Sequence, residues 1–417
     1  MKIGRTVSLF RGACLLLCSV AVLSMPQKAL AAKFIVNSTD DIVDAVPGNG
    51  ICETAPGNHI CTLRAAIQEA NAFSGPDKIV LKAMKYVLIA GNEGEGGGTG
   101  EDAAATGDLD ITESVTIAGR GSAYSFVDGG HLDRVFHVLG SPSDLVKFVG
   151  ITIQNGGVLG SGGGIFNDSD ATVIVKQCRV KNNLAFAACG GGICSSGPLK
   201  VISSIITQNT LYYGMAMSHA LGGGIALEGP NAALTVTESK ISGNSVSAVV
   251  EPAFGESGSA WGGGIGAYGA KAMVISNTKI INNVTDSWSP TPLASSGGGL
   301  FISDNTDTAV ITASKVSNNV ARGAASNGAG IALINTSTQI DGCTVTENST
   351  NGFSVAEGGG LYLQSDFTMT VALTGQSRIK NNYAASGGGG IFTSGAVVLS
   401  ISADVTVAKN TPNDIIP

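Results

Sequence analysis

The sequence predicts an all-β chain, a right-handed parallel β-helix (solenoid) with an N-terminal helical cap. Three observations predict it. A glycine cluster with an aliphatic residue behind it returns at a near-regular step, an aliphatic-x-x-Asn motif trails each cluster, and the composition favours turns and strands.

The glycine cluster occurs at Gly162-Gly163-Gly164-Ile165 and again before Ile193, Ile225, Ile265, Leu300, Ile331, Leu361 and Ile391, at steps of 28, 32, 40, 35, 31, 30 and 30 residues. One copy, Gly328-Ala329-Gly330, departs mildly. Periods of this length mark stacked repeats. The second motif is Val180…Asn183, Ile206…Asn209, Ile241…Asn244, Ile280…Asn283, Val316…Asn319, Val345…Asn348, Ile379…Asn382 and Val407…Asn410. It follows its cluster by 16 to 21 residues, whereas the distance on to the next cluster runs from 9 to 21. The half of constant length is a built element, and the other half reads as a loop that tolerates insertion.

β-branched runs such as Ala171-Thr172-Val173-Ile174-Val175 lie between the motifs, so each repeat holds about three short strands. In a parallel coil equivalent residues stack ~4.8 Å apart, which places Ile165 through Ile391 in one interior column. Two residues before the second aliphatic column stand Cys178, Ser204, Ser239, Thr278, Ser314, Cys343 and Ser377, a stack of small interior residues. The asparagines are expected to ladder at a turn, amide to amide, through their tolerance of left-handed geometry. The glycines are expected where φ is positive or backbones approach closely. A propeller needs blades of ~40–45 residues, and a leucine-rich repeat needs Leu-rich spacing with helices; neither fits.

Composition agrees. Glycine is 59 of 417 residues and charged residues are 13%, against about 7% and about 25% in an average protein. By length alone 417 residues would suggest two or three domains, but repeats grow by stacking. Residues 1–31 read as a secretory signal peptide, with Lys2, Arg5 and Arg11 before the apolar stretch Ala13 to Leu23 and an Ala29-Leu30-Ala31 cleavage site. Cys14 and Cys18 lack a convincing lipobox around them. Export points to a secreted or cell-surface location, with periplasmic or outer-membrane association as variants. Without the leader the balance is 20 basic against 31 acidic residues, a net of −11, which disfavours nucleic acid as a partner. No later segment is long and apolar enough for a membrane-spanning helix. Only Thr411 to Pro417 follow the last repeat, which leaves no room for a barrel or sorting tail.

Six cysteines follow the leader, which allows 15 pairings. Cys178 and Cys343 stand five rungs apart and read as core thiols. The pairing of Cys189 and Cys194 stays open. No zinc spacing, P-loop or Gly-x-Ser-x-Gly elbow is present.

The repeat resembles that of right-handed β-helix proteins, and more closely the polymorphic outer-membrane-protein type, which pairs Gly-Gly-Ala-aliphatic with Phe-x-x-Asn. Here the third residue is Gly, and Val or Ile replaces Phe. The resemblance covers about residues 111–410 and implies surface exposure and adhesion. Residues 32–90 have another texture. Leu63, Ala66, Ile67 and Ala70 are at helical spacing with Thr62 as N-cap, and such a helix would close the open end of the solenoid. Cys61, Leu63 and Arg64, with Cys52 upstream and Ala66-Ile67-Gln68-Glu69-Ala70-Asn71 downstream, resemble the CSLREA-type domain of exported bacterial β-helix proteins; Thr62 stands for Ser. That resemblance implies a Cys52–Cys61 disulfide around the eight-residue loop holding Pro56, Gly57 and Asn58, and a structural carboxylate partner for Arg64. Residues 91–108 read as a flexible Gly-rich loop, and 109–417 as the parallel β-helix.

The catalytic candidates are Asp128, Asp133, Arg134 and His137, which with His131 form the densest polar cluster. They read equally well as turn and strand. Asp168/Asp170 and Asp304/Asp307 read as turns. Phe166, Phe301, Tyr362 and Phe392 follow the aliphatic anchors on the outward face, where they could stack on glycans or lie under loops; loop packing is favoured. No cofactor is expected; Ca²⁺ is used by lyases of this fold, but no motif indicates it. The expected function is a binding or adhesion scaffold with segments 184–192, 210–221, 245–261 and 284–296 as contact surface. Its partner would be a polysaccharide or a host or cell-surface protein. The alternative is a polysaccharide lyase or glycoside hydrolase.

Overall fold

The computed structural model describes residues 31–73, 75–89, 102–186, 189–213, 219–249, 258–288 and 294–417. The signal-peptide reading and most of the Gly-rich loop lie outside them. Among the described residues, one 21-stranded and two 11-stranded sheets run the length of a parallel coil. The anchors are in register, Ile165 on Ile193, Ile193 on Ile225, and so on through Ile265, Leu300, Ile331 and Leu361 to Ile391. All are fully buried, each contributing about 1.5–3 kcal/mol by leaving water. The chain is a parallel β-helix because alternation sends every second residue of these short strands inward.

Two sharp corners bound a three-residue strand in each rung of the second sheet, such as Arg179–Lys181. The asparagines ladder as expected at the second corner. Asn183 donates to Asn209 Oδ1 at 2.9 Å, Asn209 to Asn244 at 3.0 Å, and the series runs through Asn283, Asn319, Asn348 and Asn382 to Asn410. Each also caps a strand carbonyl, as Asn283 does Ile241 O at 3.1 Å. The left-handed residue, however, is the one before: Asn182, Gln208, Gly243, Asn282, Asn318, Glu347, Asn381 and Lys409 have positive φ. The ladder asparagine turns inward, and the residue ahead of it makes the bend. The small-residue stack at the first corner is a second ladder. Cys178 N–H donates to Ser204 Oγ at 3.1 Å, Ser204 N–H to Ser239 Oγ at 3.1 Å, and Thr278 N–H to Ser314 Oγ at 3.1 Å. Cys178 and Cys343 are buried free thiols in it, and burial pushes the Cys178 thiol up to about 12.

The glycine triplets return the chain to the anchor strand. The first glycine has positive φ, as at Gly262 (65°), and the next two lie against the neighbouring rung, where a Cβ on Gly263 would meet Gly298 O at 2.5 Å.

The variable half of the repeat is not simply loop. Strands Leu184–Ala185, Thr210–Tyr213, Ser245–Val249 and Val284–Trp288 join the third sheet, and His219–Leu221, Ser259–Trp261 and Ala294–Ser296 form a second lane of it. Rung-to-rung pairing makes sheet out of insertions.

The helix Leu63–Ala72 is N-capped by Thr62, whose hydroxyl accepts from Ala65 N–H at 3.1 Å. Leu63, Ala66, Ile67 and Ala70 join the solenoid core. Cys52 and Cys61 are disulfide-bonded, as are Cys189 and Cys194. Arg64 is wholly buried and bonded to both Asp41 oxygens, at 2.7 and 3.1 Å. It also donates to the carbonyls of Ala104, Thr106, Gly107 and Asp108. The end of the expected flexible loop, 102–108, is thus clamped by the helix.

Candidate functional site

The residue after each anchor faces outward from the first sheet, and strand register aligns these residues in one column. It runs Asp110, His137, Phe166, Cys194, Ala226, Gly266, Phe301, Ala332, Tyr362, Phe392. All four outward aromatics of the sequence reading are in it. Phe301 and Tyr362 are covered, and Phe166 and Phe392 are half-buried. Trp261 stacks on Phe301 at 4.8 Å, and Phe301 is fully buried. Tyr362 stacks on Phe392 at 5.5 Å and is 7% exposed; Phe166 stacks on His137 at 5.3 Å. Stacking and burial remove the faces of Phe301 and Tyr362 from any ligand.

The head of the column is the polar site. Arg134 Nε pairs with Asp108 Oδ2 and lies 4.0 Å from Asp133 Oδ1. Its guanidinium carbon sits 5.5 Å from the Phe166 ring centre. Asp133 Oδ1 accepts from Arg134 N–H at 2.7 Å. His137 Nδ1 is 3.3 Å from Asp110 Oδ1, and Asp110 Oδ2 accepts from Ala104 N–H at 2.9 Å. Asp102 brings a third ligand-type side chain within 4.8 Å of Asp110 and His137. Burial pushes the Asp108 carboxyl up to about 8; Arg134 opposes it, and Asp110 and Asp133 add to it. Burial likewise raises Asp133.

The four catalytic candidates are therefore not one site. Asp133, Arg134 and His137 come together, whereas Asp128 is held on the second-sheet side by Lys85 Nζ (2.6 Å), Gln154 Nε2 (2.7 Å) and Asn155 Nδ2 (2.9 Å). Burial works to raise its carboxyl, but the bonds from Lys85, Gln154 and Gly130 hold it below the usual range. His131 stands at an exposed left-handed corner. Sequence reasoning missed Asp108, Asp110 and Asp102. One signal was there: Leu109-Asp110-Ile111 and Phe136-His137-Val138 share the in-out-in pattern, and aligning them as rungs pairs Asp110 with His137.

Access is narrow. The side chains of Arg134, Asp108 and Asp133 are 8%, 7% and 10% exposed. A concavity of about 330 Å³ lies between the helix and Asp102, lined by Pro47, Gln68, Asn71, Ala72, Ala103 and Thr112. Another, of about 520 Å³, follows the corner from Gly119 to Ile205. Neither is lined by Asp108, Asp133, Arg134 or His137. Elsewhere Phe186 and Tyr212 stack at 5.9 Å on adjacent rungs of the third sheet, and they are 47% and 45% exposed. Among the described residues no helix is long and apolar enough to cross a membrane.

No curated protein matches the chain significantly in sequence. Three solved structures are similar in fold. Pectate lyase Pel9A is 14% identical with a TM-score of 0.37, over 91% of this chain and 80% of that one. The A-module of the Azotobacter vinelandii mannuronan C-5 epimerase AlgE4 is 14% identical with a TM-score of 0.39, over 89% and 96%. The catalytic domain of a GH87 α-1,3-glucanase is 10% identical with a TM-score of 0.29, over 94% and 70%. The right-handed β-helix region model matches residues 138–368, more than half of the chain. With its stacked parallel rungs and their in-register anchors, the chain belongs to the right-handed β-helix family.

Proposed function

We propose that this chain is an exported glycan-binding scaffold whose contact face is the third sheet. The carrying observation is the Phe186–Tyr212 stack, two half-exposed rings in line along the solenoid axis. A flat apolar ring with a free face suits the C–H faces of a sugar, and rings on successive rungs suit a chain of sugars better than a single one. The leader-like residues 1–31 and two disulfides support an oxidising, extracytoplasmic address. The test is retention of the purified mature chain on a panel of immobilised polysaccharides, with and without Ca²⁺. Retention that falls at least about tenfold in the double variant Phe186→Ala/Tyr212→Ala, or 1.4 kcal/mol, with an unchanged circular dichroism spectrum, supports the reading. Equal retention by the folded variant, or retention on no glycan, rejects it.

A polysaccharide-active enzyme is the second reading, favoured by the raised carboxyl of Asp108 beside Arg134 and Asp133. The low exposure of these side chains counts against it. Release of reducing or unsaturated ends by the wild type and its loss in Asp108→Asn would reverse the order of the two.

A further inference from the structure

We infer that Asp102, Asp110 and His137 form a site for a divalent first-row transition ion, which fastens the segment 102–108 to the first rungs of the solenoid. The three donor groups stand within 4.8 Å of one another. Asp110 and His137 are register partners on adjacent strands, Leu109–Ile111 and Phe136–Val138, and Asp102 comes from the segment clamped by Arg64.

Asp110 supplies the observation that separates this from a mere acidic cluster. The residue is fully buried, and one oxygen, Oδ2, is satisfied by Ala104 N–H. The other, Oδ1, takes no hydrogen bond, although His137 Nδ1 is only 3.3 Å away. A buried carboxylate oxygen left so is costly. The separation itself is informative. Two ligands on one tetrahedral ion at ~2.0–2.1 Å lie roughly 3.3–3.4 Å apart, so the pair is spaced as ligands sharing an ion. The imidazole is held in place by its stack on Phe166, which orients it before any ion arrives.

Charge points the same way. Asp102 and Asp110 bring two carboxylates to one imidazole, while the neighbouring Arg134 is engaged by Asp108 and Asp133, so a divalent ion supplies the positive charge at the pair. The donor set selects the class of ion. Ca²⁺ takes six to eight oxygens, whereas one imidazole and two carboxylates suit Zn²⁺ or Mn²⁺. The fourth position is left for water.

The disulfide-intact mature chain, stripped with a chelator and re-equilibrated, is titrated with Zn²⁺ by calorimetry, and its metal content is measured after gel filtration. One equivalent is expected, with loss of binding in Asp110→Asn and His137→Gln and weakened binding in Asp102→Asn. X-ray absorption should give an all N/O shell with one imidazole. Asp102 is on the surface, so Asp102→Asn tests the site even if the two buried variants fail to fold. Absence of stoichiometric binding by the wild type overturns the inference, as does undiminished binding in folded His137→Gln or Asp102→Asn.

Discussion

Arg64 holds its guanidinium out of water against one carboxylate and four backbone carbonyls. Removing one charge of a buried pair leaves the other, here the Asp41 carboxylate, without its counter-charge and costs about 3–5 kcal/mol. Arg64→Ala should therefore lower stability by that amount in urea unfolding. Arg64→Lys should lower it by less, because an ammonium keeps the charge but not the planar fork. A loss within ~0.5 kcal/mol, the range of an ordinary surface change, would contradict the clamp. Cys178 is the opposite kind of residue, a thiol that the fold disarms. Burial holds it at about 12, so it stays neutral at pH 8 and is shielded from reagents. Thiol labelling at pH 8 should modify neither Cys178 nor Cys343 in the native chain and both in urea. Native labelling at the rate of a free peptide thiol would contradict the ladder position.

At the scale of the element, the glycine triplets make a graded prediction. A Cβ on Gly264 would meet Gly299 O at 2.5 Å and the Asn283 amide at 2.9 Å. One on Gly263 would meet Gly298 O and Val284 O at 2.5 Å. The two differ in what the chain already tolerates. Ala329 takes the middle position in its own rung and is fully buried there, while all eight third positions are glycine. The middle glycine's bond to the next rung, as from Gly263 N–H to Gly297 O at 3.1 Å, recurs at Gly163, Gly191, Gly223 and Gly359. Gly263→Ala should thus cost roughly 1–3 kcal/mol, as overpacking does, and Gly264→Ala should cost more; urea midpoints of the two variants rank them, and equal losses would refute the distinction. The anchors, the asparagine ladder and the Thr62-capped helix could be read from sequence because each is a periodic or local pattern. The left-handed corner was read one residue late, since the ladder amide advertised the turn while Asn282 or Gln208 made it. The third sheet was hidden because strands such as Leu184–Ala185 gain their identity only from the rung beside them. The polar site was half legible for a similar reason: Asp133, Arg134 and His137 are adjacent in sequence, and Asp108 and Asp110 reach them only through strand pairing.

For the whole molecule, the strands of each rung pair with those of the rungs on either side, so stability is largely a chain of nearest-neighbour terms rather than one all-or-none quantity. The helix Leu63–Ala72 closes the first rungs, packing Ile67 on a core that runs on to Ile391. Ile67→Asp places a carboxylate at a site 1% exposed, where burial is strongly unfavourable. In a globular core such a change would threaten the whole fold. Here the damage should stay at the end where it is made. Amide exchange is expected to lose protection in Lys33–Ile35, Asp77–Val80 and Leu109–Ile111, and to keep it in Thr344–Thr346 and Arg378–Lys380. Loss of protection across all of these strands together would mean that the coil unfolds as one unit, with the cap coupled to rungs it never touches.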